Sequence, residues 1–524
     1  SISAPVIYPF LSEEGIMNRI HELLDRWAET ARDRPAILED DGSAHTYGAF
    51  GEASVDAARC LAEAGVGGGD RVAVIGENSL ALASFLLAAS RLDAWVIPIN
   101  ARMSLNEIVK VADHASARAL VFTHRVSEAA AAHAAAMGAV ERTGAFGSVM
   151  IAGNREGSPE EVFQSPLEQV AAMIYTTGTT GDPKGVMLTH ENLLYSSRVS
   201  MEIRGMSSED TILSVIPMTH IFGFSSAFLA AVRAGAHIRF MPRFDPEKVF
   251  AALQDGVSVM PAVPQIYALL MSYAEKQGWA TAPAPRLRYI SSGGAPLDYE
   301  WKRKVEAFFG MTLHNGYGMT EAGPGMCATR VGQERTDIAC GPPLDGQKVR
   351  LVPPPGQSEC KDGVGEITVS GPNIMKGYYK NPGETAKALD EEGCLHTGDL
   401  GRFTEDGALM VVGRCKELII RSGFNVYPPE VEAAITKHPD VAISAVIGRR
   451  EKDGNEEVLA FVQPAEGRSV TADVLKDHLK PLLAPYKRPG RYVIADVLPA
   501  ASTGKILKHK LLETFANDVK DPGN

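Results

Sequence analysis

Cysteine is sparse in this 524-residue chain. Cys60, Cys327, Cys340, Cys360, Cys394 and Cys415 lie far apart and form no C-x-x-C pair. That spacing argues against a disulfide framework and a thiolate zinc site, and it favours a reducing, cytoplasmic setting. An excess of positive charge is missing too. The net charge of −12 would repel a nucleic-acid backbone except at a local basic patch. No apolar run is long enough to cross a bilayer, since the stretch from Leu80 to Ser90 is broken by Arg91 and Asp93. The opening residues Ser1 to Pro5 have neither the basic start nor the apolar run of a secretory leader. A cytoplasmic protein without nucleic-acid partners or a transmembrane segment is expected.

What is present fits a globular enzyme: 45% of residues are hydrophobic and 22% charged. A chain of this length exceeds one ordinary core, so more than one domain is expected. Short β-branched runs alternate with helix-like segments, first through 71–75, 79–92 and 94–98. A second round follows through 211–215, 222–233, 237–241 and 246–254. Strands at 287–291 and 312–314 continue the series. This alternation predicts an α/β fold of parallel sheets built from βαβ units. The alanine-rich stretch 128–140 suits an exposed helix.

From about residue 342 the texture changes to strands separated by Gly and Pro turns, at 349–352, 365–370 and 408–412. A β subdomain over about 342–415 is expected, completing a large domain of residues 1–415. The remaining 416–524 reads as a small α+β domain. Its helices are expected at 429–437, 471–483 and 506–519, and its strands at 442–447, 458–463 and 492–496.

The densest chemical signal is Tyr175-Thr-Thr-Gly-Thr-Thr-Gly-Asp-Pro-Lys184-Gly185, with four threonines, three glycines and one lysine in eleven residues. Glycines let backbone N–H groups approach an anion, threonines add donors and lysine adds a point charge, so the segment reads as a polyphosphate cradle. Its spacing is not that of a Walker A loop. Isolated, such a stretch is also compatible with an ordinary turn.

This loop resembles the signature of adenylate-forming enzymes, the superfamily of acyl-CoA and aryl-CoA synthetases, peptide-synthetase adenylation domains and firefly luciferases. Further segments resemble that family in the same order. Ser291-Ser-Gly-Gly-Ala-Pro-Leu297 and Asn315-Gly-Tyr-Gly-Met-Thr-Glu321 resemble the two sides of its adenine pocket. By themselves they are equally well glycine-rich turns with a capping Glu. His396-Thr-Gly-Asp399 and Gly413-Arg414 resemble its ribose-binding pair. Lys416 occupies the position of its interdomain hinge, and Ile420-Arg-Ser-Gly-Phe-Asn-Val-Tyr-Pro428 resembles the segment that builds its thiol tunnel. Pro499-Ala-Ala-Ser-Thr-Gly-Lys505 resembles its C-terminal catalytic loop.

The resemblance implies a large AMP-binding domain followed by a mobile C-terminal domain that carries the catalytic lysine. It implies an acid–thiol ligase using ATP, Mg²⁺ and coenzyme A, with Lys505, His220 and Lys184 in catalytic roles. ATP contacts are expected from Thr176, Thr177, Gly178, Thr179, Thr180 and Lys184, and from Gly294, Ala295 and Asn315 through Thr320 (Gly316, Tyr317, Gly318, Met319). Asp399, Arg414 and Lys505 complete that set. Glu321 is expected at the metal and Ser422, Gly423 and Phe424 at the CoA tunnel. The acyl pocket is expected from His220, Phe222, Phe224, Val263, Gly316 and Met319. Gly316 leaves room where malonyl-activating relatives carry an arginine, so an apolar fatty or aryl monocarboxylate is expected over a dicarboxylate. Two alternatives stand beside this: a stand-alone enzyme loading an amino or aryl acid onto a carrier protein, and a non-catalytic nucleotide sensor. Assembly as a homodimer is left open.

Overall fold

The computed structural model describes residues 17–177, 183–421, 424–450, 455–500 and 506–519. They form two compact units, the first running to Val349 and including Val369–Leu395, the second comprising Arg350–Thr368 and the chain from His396 onward.

The first unit holds two eight-stranded sheets. In one, Val170–Thr177, Trp95–Asn100, Arg71–Gly76 and Ala119–Phe122 run parallel as neighbours, as the βαβ alternation predicts. In the other, Leu313–Gly318, Tyr289–Ser292, Val259–Ala262, Thr211–Ser214 and His237–Phe240 are parallel neighbours. Arg71–Gly76, Ala119–Phe122 and Val259–Ala262 are buried along their whole length, as expected of parallel strands covered on both faces. Several of the intervening helices start on side-chain caps: Ser79 accepts from the Leu82 N–H, and Asp245, ahead of Pro246, accepts from Glu247 and Lys248.

One expected helix departs from regular geometry. Phe222–Leu229 winds as a π-helix before becoming α-helical over Ala230–Ala234. Gly223 belongs there because a Cβ would stand 2.1 Å from the Pro217 carbonyl oxygen, closer than any side chain tolerates. The alanine-rich helix Glu128–Ala136 is also less exposed than expected, with Ala130 and Ala134 buried against the sheet.

The second unit contains the four-stranded sheet of Lys348–Val352, Gly365–Ser370, Leu395–Phe403 and Leu409–Arg414. It also holds a ribbon of Ile419–Arg421 and Phe424–Val426, and a three-stranded sheet of Val441–Arg450, Glu456–Pro464 and Arg491–Ile494. Helices Pro428–Thr436, Ala472–Leu479 and Lys508–Thr514 match the expected positions. Compactness does not divide the chain at Lys416. Most of the β subdomain falls in the second unit, where Gly413 lies against Pro429 and Tyr427 at the start of the following helix. All six cysteines are free thiols. Among the described residues no helix is long and apolar enough to cross a membrane.

Candidate active site

The threonine-rich loop is flanked by a β-hairpin. Val170–Thr177 pairs antiparallel with Pro183–Thr189, so Thr176 faces Lys184 and Thr177 faces Pro183. Gly178, Thr179 and Thr180 lie outside the described residues. No helix N-terminus follows directly, because the next helix starts only at His190. The helix dipole that serves a P-loop is therefore not adjacent among the described residues.

Lys184 leaves the second strand of this hairpin and ion-pairs with Glu384, its ammonium 5.3 Å from the Tyr378 ring centroid. The other Glu384 oxygen accepts from Lys387 at 2.7 Å. Two positive neighbours, Lys184 first, hold the Glu384 carboxyl at about 2, well below the ordinary range.

Glu321 sits in a 3₁₀ turn, Thr320–Ala322, with 8% of its surface exposed. Its Oε1 accepts the Tyr378 hydroxyl at 2.8 Å. Burial, and then the Glu321 charge, push the Tyr378 hydroxyl pKa upward, so it stays a donor. The segment around Tyr378 is stitched down on both sides. The Met375 N–H donates to the Glu321 carbonyl at 2.9 Å, and the Tyr379 N–H to the Gly185 carbonyl at 2.8 Å. Lys184, Tyr378 and Glu321 thus form one continuous group. Among the described residues no set of three or more His, Cys, Asp or Glu could cage a metal. The single carboxylate fits an ion whose other ligands are phosphate oxygens or water.

The Asn315–Thr320 segment divides into scaffold and lining. Asn315 is buried and its amide donates to the Ile338 carbonyl at 2.8 Å. Gly318 presses on the Pro324 carbonyl, whose oxygen would stand 2.2 Å from an added Cβ. Gly316 is different: a Cβ there would make only ordinary contacts, at 3.5 Å to the Cys327 oxygen and 3.7 Å to Ala328. Tyr317 and Met319 are half-buried, Thr320 is buried, and Gly294 and Ala295 are exposed.

A cavity of about 400 Å³ opens beside the hairpin. Its walls include Thr176, His220, Phe222, Val263 and Gly294 of the expected set, together with Ile99, Asn100, Met103, Tyr175, Ile216 and Thr219, which the sequence reading missed. Phe224 is not among them. It is fully buried and stacked on Phe228 at 6.5 Å, because residues two apart on a helix point to nearly opposite sides. Gly316 and Met319 also lie outside the cavity lining. His220 faces the cavity, and its Nδ1 accepts from the Phe222 N–H at 3.2 Å. Surrounding protein desolvates the ring and lowers its pKa below the ordinary histidine value, which favours the neutral form.

In the second unit, Asp399 and Arg414 are cross-strand partners, with Arg414 Nε 3.5 Å from Asp399 Oδ1. The Asp399 N–H donates to Thr397 Oγ1 at 3.1 Å within strand Leu395–Phe403. Lys416 is exposed within the turn Cys415–Glu417. Phe424 is 54% exposed and stacked on Tyr486 at 4.6 Å. Ser422, Gly423 and Lys505 lie outside the described residues. Tyr378 and Glu384 escaped sequence reasoning because their partners are 57 and 200 residues away. The only local signal was the helix start at Asn381-Pro382.

Comparison with known proteins places these features in context. Residues 24–379 match the family model described as AMP-binding enzyme, and residues 430–505 match its C-terminal domain. The chain is 34% identical over 521 residues to 4-coumarate–CoA ligase 5 of Oryza sativa subsp. japonica, covering 95% of each chain. ATP-bound MatB from Rhodopseudomonas palustris superimposes with a TM-score of 0.82 at 30% identity, over 96% of this chain and all of that one. The o-succinylbenzoate coenzyme A synthetase of Bacillus subtilis, in complex with ATP and magnesium, gives 0.78 at 26% identity over 93% and 98%.

Proposed function

Because this chain belongs to the AMP-binding enzyme family and is an AMP-forming acid–thiol ligase, we propose that it activates an aromatic monocarboxylic acid as its adenylate and transfers the acyl group to coenzyme A. In the first half-reaction a carboxylate oxygen attacks the α-phosphorus of ATP. The bond to the β-phosphate breaks and pyrophosphate leaves with the electron pair. In the second, the coenzyme A thiol loses its proton and its sulfur attacks the acyl carbonyl. The C–O bond to AMP then breaks, and AMP departs as a phosphate monoester.

The observation that carries this reading is the joining of Lys184, Tyr378 and Glu321 beside a cavity walled by His220 and Phe222. Lys184 is assigned the leaving pyrophosphate, where a preorganised cation stabilises developing charge. Glu321 would hold the magnesium that accompanies the nucleotide, which supplies charge neutralisation on the phosphates. Tyr378 keeps that carboxylate aimed. Asp399 and Arg414 are assigned the ribose hydroxyls, an acceptor beside a donor. Lys505 is assigned the α-phosphate and the acid's carboxylate, Lys416 the hinge between half-reactions, and Ser422, Gly423 and Phe424 the pantetheine path. Neutral His220 is assigned the junction between acid and thiol.

For the acid, the cavity lining contains neither Lys nor Arg among the described residues, which disfavours a second carboxylate. Phe222, Val263, Ile216 and Ile99 offer apolar walls to a ring. One of the relatives is named for an aromatic monocarboxylic acid, 4-coumarate. A panel of cinnamic-type, benzoic, fatty and short dicarboxylic acids, assayed for both AMP and thioester, tests the reading. Highest kcat/KM with an aromatic acid supports it; preference for a dicarboxylate removes the substrate assignment, and amino-acid-dependent AMP formation without thioester removes the ligase mechanism.

A further inference from the structure

Glu384 has no role in the reaction as described, yet it occupies the ammonium on which pyrophosphate departure depends. Its side chain is 28% exposed and that of Lys184 19% exposed, so the pair is only partly sheltered from water. Glu384 is also well anchored. It lies in the first turn of helix Pro382–Ala388, and its N–H donates to Asn381 Oδ1 at 3.1 Å. Its second oxygen is already bound to Lys387, whose side chain is 76% exposed.

Resting on the adenylation reading, we propose that Glu384 is the intramolecular counter-ion of Lys184, which polyphosphate displaces on binding and which reclaims the ammonium as pyrophosphate leaves. Two arrangements are then balanced. In one, Lys184 is neutralised by Glu384 above the Tyr378 ring; in the other, Lys184 is neutralised by phosphate oxygens and Glu384 keeps Lys387. Neither strands a charge, because Lys387 stays with the carboxylate in both. The exchange lowers affinity for the anion and shortens its stay, which matters for a product as highly charged as pyrophosphate.

The role predicts a sign opposite to that of ordinary structural support. In the full-length chain, Glu384→Gln should bind inorganic pyrophosphate about two- to fivefold more tightly than wild type, the range of one part-exposed charge pair. Pyrophosphate should inhibit this variant at correspondingly lower concentration, with the KM for ATP and kcat falling together. In a Lys184→Ala background the same substitution should leave pyrophosphate affinity unchanged. Weaker or unchanged binding by Glu384→Gln overturns the proposal, as does equal tightening without Lys184. Pyrophosphate calorimetry needs no knowledge of the acid. If no acid in the panel yields AMP while the predicted binding pattern holds, the ligase reading fails and the counter-ion assignment stands. If thioester forms but Glu384→Gln binds pyrophosphate no more tightly, the counter-ion assignment alone fails.

Discussion

The Tyr378 hydroxyl donates to Glu321 Oε1 at 2.8 Å, joining a carboxylate assigned to the metal to a ring that also lies 5.3 Å from the Lys184 ammonium. One side chain therefore links the carboxylate assigned to the metal and the ammonium assigned to pyrophosphate. Tyr378→Phe keeps the ring and removes the donor. A hydrogen bond to a charged group is worth about 1.5–3 kcal/mol, so adenylation should fall roughly ten- to a hundredfold. The magnesium concentration for half-maximal ATP–pyrophosphate exchange should rise. Unchanged magnesium dependence would remove Tyr378 from the metal's support.

Lys184→Ala and Lys505→Ala should each reduce adenylation by about 10²–10³, the usual loss for one preorganised donor at a developing charge. Both variants should still convert supplied acyl-adenylate and coenzyme A to thioester. Single-turnover assays of the two halves check this, and equal loss in both would contradict the division of labour.

Lys416→Pro restricts the backbone at the assigned hinge by fixing φ near −65°. Thioester formation should fall while ATP–pyrophosphate exchange is largely spared. Retention of both halves would move the hinge elsewhere.

Gly316 and Gly318 should separate under the same substitution. Gly318→Ala drives a methyl to 2.2 Å from the Pro324 oxygen, and the neighbour is backbone that cannot swing aside. A loss of about 1–3 kcal/mol is expected in chemical denaturation. Gly316→Ala meets nothing closer than 3.5 Å, so stability should change by less than about 0.5 kcal/mol.

Glu384 gives a pH dependence with a defined sign. Its folded pKa of about 2 lies below the ordinary 4.5, so its contribution to stability is present above 4.5 and disappears as pH falls toward 2. Thermal unfolding of wild type and Glu384→Gln should differ slightly at pH 7 and converge near pH 2. The difference stays small because solvent screens a part-exposed pair. A gap that widens on acidification would reverse the assignment.

Much of the fold was legible locally. β-branched runs marked the strands at 71–76 and 365–370, and the helix Pro246–Gln254 falls at its expected bounds. The π-helix at Phe222 was not legible. It depends on how closely Gly223 can approach Pro217, which no helical pattern records. Phe222 and Phe224 both read as pocket walls, whereas residues two apart on a helix point to nearly opposite sides, here one into the cavity and the other into the core.

The sequence by itself determined the reaction class through its resemblance to adenylate-forming enzymes, because the segments around Lys184, Glu321, Asp399 and Arg414 are local motifs that stand in that family's order. Tertiary structure alone decided what those groups touch. Tyr378 meets Glu321 and Glu384 meets Lys184 because the 375–379 segment pairs back onto strand Pro183–Thr189 and the turn at Glu321. Side-chain partnerships set by sheet register between distant segments leave no periodic trace along the chain.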